Sequence, residues 1–213
     1  MSLFSWPDMH RTMYSPNAYR FLHFIETLES DKKPEKRVLD CGAGGPRPPL
    51  ALFHLMGYET HGIDIAEAQV NRAYDFSDKY GIDLNIRIGD MRALDFVDES
   101  FSCVYSQNSI FHLTKSDTAK AMMEMKRVLA QGGLLYVNFL SIEDQGYREG
   151  REVGSGEWES MEYGEVTIHS FYEDSEPDKY FEDVEILVKE KRIMDLRTYN
   201  HKMVTIEYIA RRP

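Results

Sequence analysis

This chain of 213 residues has few cysteines, no excess of basic residues and no long apolar runs. Two cysteines, Cys41 and Cys103, are too few for a disulfide framework or for a zinc site of their own. Acidic residues outnumber basic ones by 36 to 25, and the net charge of −11 argues against a bulk nucleic-acid partner. The chain has no run of about 18 apolar residues, which a membrane-spanning helix would need. Its N-terminus lacks the arrangement of charged and apolar residues that is typical of a signal peptide. We therefore expect a soluble, cytoplasmic protein.

Apolar residues make up 42% of the chain and aromatic residues 12%, which is enough for one sizeable core. From Lys36 onward, short apolar runs alternate with segments of helical periodicity. This alternation predicts an α/β fold, a mostly parallel sheet with helices on both faces. The predicted strands are residues 37–41, 60–64, 84–88, 101–106 and 134–140, and the predicted helices are 17–29, 46–56, 66–80 and 114–129, the last opened by a capping box at Thr114.

The remaining segments differ in character. An aromatic-rich opening and the first helix predict a helical cap over residues 1–35. Residues 141–180 carry twelve acidic side chains against three basic ones, with aromatic residues between them. Because this segment follows the fifth strand at the ligand edge of the sheet, we expect an acidic lid within a single domain spanning residues 1–213. The apolar runs 184–189 and 202–210 lie too close together for a helical crossover, so they predict an antiparallel pair at the sheet edge.

The most informative segment is Val38–Pro46, where a buried strand passes into a glycine turn that lets a ligand approach the backbone. A phosphate loop is excluded because no Gly-Lys-Ser/Thr follows. A dinucleotide fingerprint fits Gly42 and Gly44 but has Arg47 in place of the third glycine. Asp40 at the strand tip would also repel a pyrophosphate, by a few kcal/mol at ~5 Å and a dielectric of about 20. A cationic, phosphate-free ligand such as S-adenosylmethionine suits this loop.

The loop resembles that of the class I S-adenosylmethionine-dependent methyltransferases, most closely the small-molecule branch with the ubiquinone-biosynthesis and tellurite-resistance types. That family has a doubly wound, Rossmann-like sheet of seven strands with an antiparallel C-terminal strand. The likeness covers roughly residues 36–140 and departs from the family at Pro46, Pro48 and Pro49. Four further segments match the family pattern in order: His61–Ile65, Ile88–Met91, Asp98–Ser106 and Val128–Leu135.

The resemblance implies S-adenosyl-L-methionine as cofactor. The family acid at the position of Asp64 binds the ribose hydroxyls, although Asp64 is also placed to cap the next helix. The family acid at Asp90 meets the adenine amino group, and Gln107 and Asn108 stand near the methionine moiety. The expected cofactor-binding residues are Asp40, Cys41, Gly42, Ala43, Gly44, Asp64, Ile65, Asp90, Met91, Gln107, Asn108 and Tyr14.

Aromatic residues near the N-terminus are candidates to fold over the cofactor, because ring faces attract onium groups. They are Trp6, Tyr14 and Tyr19, and for Tyr19 a place on the core face of the first helix is favoured. The two cysteines lie within predicted strands and are expected to be inert core residues.

No catalytic residue stands out in the sequence. His112, after the fourth strand, and His169, before a helix expected at Phe171, are candidates to accept a proton, and each is also explained as a polar loop residue. The histidines are scattered without ligand spacing, so no metal is predicted. Ser106–Phe111 stands where family members that methylate DNA and protein amides or amines carry an Asn/Asp-Pro-Pro-Tyr/Phe motif, which disfavours that class.

These observations together predict methyl transfer from S-adenosylmethionine to a small-molecule acceptor by in-line displacement, without a nucleic-acid substrate. The acidic lid favours a neutral or cationic acceptor, and the residues leave open which acceptor atom is methylated. Two alternatives stay open: a nicotinamide-dependent reductase on a similar sheet, and a non-catalytic S-adenosylmethionine-binding module whose acidic surface docks a partner protein.

Overall fold

The computed structural model describes residues 12–162, 165–197 and 200–213, so Trp6 lies outside the described residues. The four helices of this part of the chain are α1 (Pro16–Thr27), α2 (Leu50–Leu55), α3 (Glu67–Tyr80) and α4 (Lys115–Val128). The strands are β1 (Arg37–Cys41), β2 (Glu59–Asp64), β3 (Ile86–Ile88), β4 (Phe101–Ser106), β5 (Leu129–Ser141), β6 (Arg151–Gly154), β7 (Glu157–Glu162), β8 (Glu165–Tyr172), β9 (Glu185–Leu196) and β10 (His201–Arg211). No helix among the described residues is long and apolar enough to cross a membrane.

The central sheet has the strand order β3-β2-β1-β4-β5-β10-β9. Strands β1 to β5 pair in parallel, whereas β10 runs antiparallel to both of its neighbours. The predicted mostly parallel sheet, with its antiparallel C-terminal strand, is confirmed. Strands β1 and β4 have the predicted bounds because both are short, almost fully buried runs between polar turns.

Side chains that alternate along the strands build a core on each face of the sheet. On one face, Val38 and Tyr105 pack with α1, α2 and α3. On the other face, Leu39 and Val104 pack with α4 and with a short 3-10 turn at Glu176–Phe181. Helices therefore cover both faces, and the ends of the parallel strands are left to form one open edge.

Three helix predictions need correction. The core stripe of α1 is Ala18, Phe21, Leu22 and Ile25, so Tyr19 lies one position off it and is 42% exposed rather than part of the core. The helix predicted over residues 46–56 begins only at Leu50, because each proline before it disfavours the helical conformation of the residue that precedes it. The helix expected at Phe171 is wrong, since Phe171 lies within β8.

Strands β6, β7 and β8 form an antiparallel meander that branches from the end of β5. Only its last two residues join the central sheet, where Leu140 pairs with Phe171 and Ser141 with Tyr172. The acidic segment is therefore folded as strands beside the open edge of the sheet.

A buried carboxylate holds α1 against the sheet. Glu207 on β10 is 3% exposed and accepts hydrogen bonds from Arg20 Nη1 at 2.8 Å, Asn17 Nδ2 at 3.2 Å and the Tyr136 hydroxyl at 3.2 Å. Arg20 also forms an ion pair with Glu190 nearer to the surface. The same arginine thus has one buried acidic partner and one exposed acidic partner, which allows a direct comparison.

We predict that Glu207→Ala lowers the free energy of unfolding by about 3–5 kcal/mol, because it leaves buried donors without an acceptor. Glu190→Ala is the control and should cost under about 1 kcal/mol, since a solvent-exposed ion pair contributes little. Chemical denaturation measures both values. Equal losses in the two variants would contradict a special role for the buried acid.

Candidate active site

The carboxyl ends of β1, β2 and β4 border a cleft of about 700 Å³. Such an edge is where parallel α/β sheets bind ligands. Eight of the twelve predicted cofactor-binding residues line this cleft: Gly42, Gly44, Asp64, Ile65, Asp90, Met91, Gln107 and Asn108. Residues that are far apart in the sequence thus lie together along one cleft, as predicted from their positions at the strand ends.

Two glycines form its wall by close packing. Gly42 has a φ of +98°, and a Cβ there would overlap the hydroxyl of Ser109. A Cβ on Gly44 would lie 2.6 Å from Asp64 Oδ2 and 2.5 Å from Gln69 Cβ. Both positions accept only glycine without rearrangement, so the loop presents backbone to the cleft.

The backbone amides of this loop are all used inside the protein. The N–H groups of Gly42 and Ala43 donate to the Ile63 carbonyl at 2.8 and 2.9 Å. Gly44 N donates to Asp64 Oδ2 at 3.0 Å, and Gly45 N donates to the Gln69 carbonyl at 2.9 Å. A phosphate-binding loop must instead direct such N–H groups at its ligand. The loop thus lacks the donors that a pyrophosphate requires.

Asp64 has two structural roles at the tip of β2. Its Oδ2 holds the glycine loop through Gly44, and its Oδ1 accepts a hydrogen bond from Ala66 N at 2.9 Å at the start of α3. The N-cap role considered from the sequence is wrong, because the N-cap residue of α3 is Ala66 and Asp64 forms a turn just before it. Each carboxylate oxygen can accept a second hydrogen bond, so Asp64 can also bind a hydroxyl in the cleft.

Asp40 lies behind the loop and is 1% exposed. Its Oδ2 has no hydrogen-bond partner within the described part of the chain. Burial, and then the nearby Asp64, raise the pKa of Asp40 well above its usual value. A cation near the loop would offset the cost of ionising this buried acid.

Three other predicted residues lie away from the cleft wall. Cys41 and Ala43 are fully buried, and Tyr14, 5% exposed, sets its ring edge against Phe76 with centroids 6.5 Å apart. Both cysteines are buried without a disulfide, and burial raises the pKa of Cys103 to about 12, as expected for inert thiols.

Arg92 was not anticipated by the sequence reasoning. Its guanidinium contacts Asp90 through Nε and Nη2, at 2.7–3.0 Å, and Asp117 through Nη1 at 2.8 Å. The Arg92 hydrogen bond lowers the pKa of Asp90 and keeps that carboxylate ionised at the cleft. Gln69, Ser109 and Thr167 also line the cleft, and they come from a helix, a loop and β8 that carry no recognisable motif.

A second cavity of about 460 Å³ shares two of its wall residues, Asn108 and His112, with the cleft. Asn108 has a φ of +52° and is held by Asn138 on β5. Asn138 Oδ1 accepts from Asn108 N at 2.8 Å, and Asn138 Nδ2 donates to Asn108 Oδ1 at 2.7 Å. This amide pair fixes the boundary between the two spaces, and we call the second one the acceptor-side cavity.

The two candidate histidines meet at this boundary. The ring centroids of His112 and His169 lie 4.8 Å apart at an interplanar angle of 66°. Water reaches the His112 ring from the cavities, yet the surrounding protein and His169 together lower the pKa of His112 to about 4. His112 is therefore neutral at pH 7. Among the described residues, no group of three or more histidine, cysteine or acidic side chains has a geometry that could hold a metal ion.

We predict that the His112 ring titrates well below the ordinary histidine value of about 6.5. In His169→Asn the titration midpoint of His112 should rise, because a neighbouring ring that disfavours its protonation is gone. Ring-proton NMR over pH 3–8 measures both midpoints, with His112→Gln assigning the resonance. A midpoint near 6.5 in the native chain would show that neither the surrounding protein nor His169 disfavours protonation of the ring.

The segment that contains most of the cleft residues is similar in sequence to known proteins. Residues 38–133 match the sequence profile of the family described as methyltransferase domain. The chain is 34% identical over 109 residues to sterol 24-C-methyltransferase ERG6B of Gibberella zeae, covering 49% of this chain and 28% of that protein. It is 36% identical over 123 residues to the uncharacterized methyltransferase YcgJ of Bacillus subtilis, covering 56% and 46%. The chain thus spans less than half the length of these curated relatives.

A solved structure extends the likeness to the whole fold. A SAM-dependent methyltransferase from Methanosarcina mazei superposes with a TM-score of 0.74 at 20% identity, over 94% of this chain and 99% of that one. Residues 38–133 thus match a methyltransferase domain, and the likeness to the solved structure shows that the chain has the same fold.

Proposed function

We propose that the chain transfers a methyl group from S-adenosylmethionine to a small-molecule acceptor. The observation that carries the proposal is the glycine loop, whose four amides are used internally and which lies beside an uncompensated acid. That combination disfavours a dinucleotide and favours a cationic nucleoside. It also disfavours the nicotinamide-dependent reductase that the sequence left open.

The residues of the cleft fit S-adenosylmethionine, which supplies an electrophilic methyl group on a sulfonium when bound. Asp64 would accept hydrogen bonds from ribose hydroxyls, and the exposed side chain of Ile65 offers an apolar surface to a base, with Met91 also in the wall. Asp90, held by Arg92, would accept from the adenine amino group. Asp40 would stabilise positive charge near the glycine loop through its buried carboxylate.

Catalysis then depends on position more than on a dedicated base. A sulfonium is already a strong electrophile, so alignment of the acceptor and exclusion of water account for much of the rate. Asn108 and His112 line both spaces and would hold the acceptor against the donor side. His112 and His169 remain candidates for accepting a proton where the acceptor must lose one.

The acceptor is inferred to be small. Relatives of the domain include enzymes named for a sterol, for 2-methyl-6-phytyl-1,4-hydroquinone and for sarcosine and dimethylglycine. We infer that residues 1–213 act as one domain in which β6–β8 wall the acceptor side, as the lid prediction requires. A cytoplasmic location and the absence of a nucleic-acid substrate stay predictions.

We predict that Gly42→Ala weakens binding of S-adenosylhomocysteine by at least about tenfold, because the added Cβ forces the loop away from Ser109. Gly132→Ala is the control, since Gly132 also has a positive φ, +73°, but has nothing within 4 Å of its Cβ position. The control should bind normally. Isothermal calorimetry measures both affinities.

The same calorimetry separates the proposal from its alternatives. Binding of NADH without binding of S-adenosylhomocysteine would overturn it in favour of a reductase. Tight binding of S-adenosylhomocysteine, with no methyl transfer to an acceptor panel and a stable complex with a partner protein, would instead support a non-catalytic module.

A further inference from the structure

The acceptor-side cavity has an unusual charge balance. Its wall includes two acidic residues, Asp144 and Glu149, and three histidines, His112, His169 and His201. None of the described residues that line it is a lysine or an arginine. An anionic acceptor would find no fixed positive charge there.

The two acids have different surroundings. Asp144 is 7% exposed, with Oδ1 accepting from Gly146 N and Oδ2 accepting from Val204 N, both at 2.8 Å. These bonds hold the turn and β10 in place but leave the negative charge without a cationic partner among the described residues. Glu149 is exposed on the loop that follows, and no described side chain pairs with its carboxylate.

The wall of this cavity is also partly aromatic. The Phe111 and His169 rings are near parallel, with centroids 6.4 Å apart, and the Phe171 ring lies 6.3 Å from that of His169. Ring faces attract ammonium groups and also pack against an apolar body. Two uncompensated carboxylates and a set of rings therefore recognise the same kind of ligand, a compact organic cation.

The boundary residue His112 would set the position of the acceptor nitrogen. His112 lines both spaces, and a neutral imidazole always has one nitrogen that accepts a hydrogen bond. An N–H group bound to it would lie between the two spaces, where methyl transfer must take place. A carboxylate has no proton to donate there at neutral pH.

We propose that the acceptor is a small amine, recognised as its ammonium form by Glu149 and the aromatic wall of the acceptor-side cavity. This inference rests on the proposed function. The bound ammonium loses one proton to water on the side of the cavity where Glu149 is exposed to solvent. The free-base nitrogen then forms the N–C bond while the carbon–sulfur bond of the donor breaks and its electron pair stays on sulfur. One proton is released for each methyl group transferred.

A series of three probes of similar shape tests the charge preference. Benzylammonium, benzyl alcohol and benzoate are titrated by calorimetry into the full chain saturated with S-adenosylhomocysteine. We expect benzylammonium to bind at least about threefold more tightly than benzyl alcohol, and benzoate more weakly than both. Glu149→Gln should lower the affinity for benzylammonium about two- to fivefold, the range of an exposed ion pair, and leave benzyl alcohol unchanged.

Glu152→Gln is the matched control, because Glu152 is equally exposed on β6 but does not line the cavity. It should change no affinity in the series. Benzoate binding as tightly as benzylammonium, no binding of benzylammonium, or an equal effect of both glutamate variants would overturn the amine assignment. S-adenosylhomocysteine binding in the first titration reports separately on the proposed function. If that binding fails, the proposed function falls, and the same series on the free chain still decides whether the cavity selects a cation.

Discussion

The architecture of the site depends on the close approach of the β1 loop to the ends of β2 and β4. Gly42 and Gly44 make this approach possible, because any side chain would meet Ser109 or Asp64. The approach lets the loop amides bond to Ile63, Asp64 and Gln69, so the loop is rigid without a ligand. A loop that has already used its donors selects ligands by shape and by the acids near it. The same glycine pattern that elsewhere holds phosphate is therefore suited here to a cation.

The strands of the parallel core were predicted well because a local pattern of residues marks each of them in the sequence. Strands β1 and β4 are short, mainly apolar segments bounded by turns, and such segments are buried in a parallel sheet. The site residues at their ends could be named in advance, since the carboxyl ends of parallel strands share one edge. Glycine positions were equally readable, because only a turn or a close approach explains them in that place.

Other features depend on contacts between distant segments and were not predictable in this way. The meander β6–β8 lies in a segment that mixes acidic and apolar residues, and the excess charge of this segment predicted a lid with a helix near Phe171. The structure instead has strands there, and the pairing of β8 with the end of β5 is set by tertiary structure. Arg92 reaches Asp117 across 25 residues, and no local pattern marks that contact. Tyr19 differs from its core neighbours by one helical position, which turns its side chain about 100° around the helix axis and away from the core.

The order of the strands sets the order in which the site residues lie along the open edge. Along the open edge, the order β3-β2-β1-β4-β5 places Asp90, Asp64, the glycine loop, Asn108 and then the acceptor-side cavity in succession. Neighbouring strands lie about 4.8 Å apart, so four steps span roughly 19 Å, the scale of an extended nucleoside with an amino-acid chain. Arg92 forms ion pairs with Asp90 and Asp117 at the β3 end, whereas no described side chain forms an ion pair with Asp40, Asp144 or Glu149. Positive charge on a ligand is therefore stabilised toward the β4–β5 side, which is also where a sulfonium and an ammonium would have to meet.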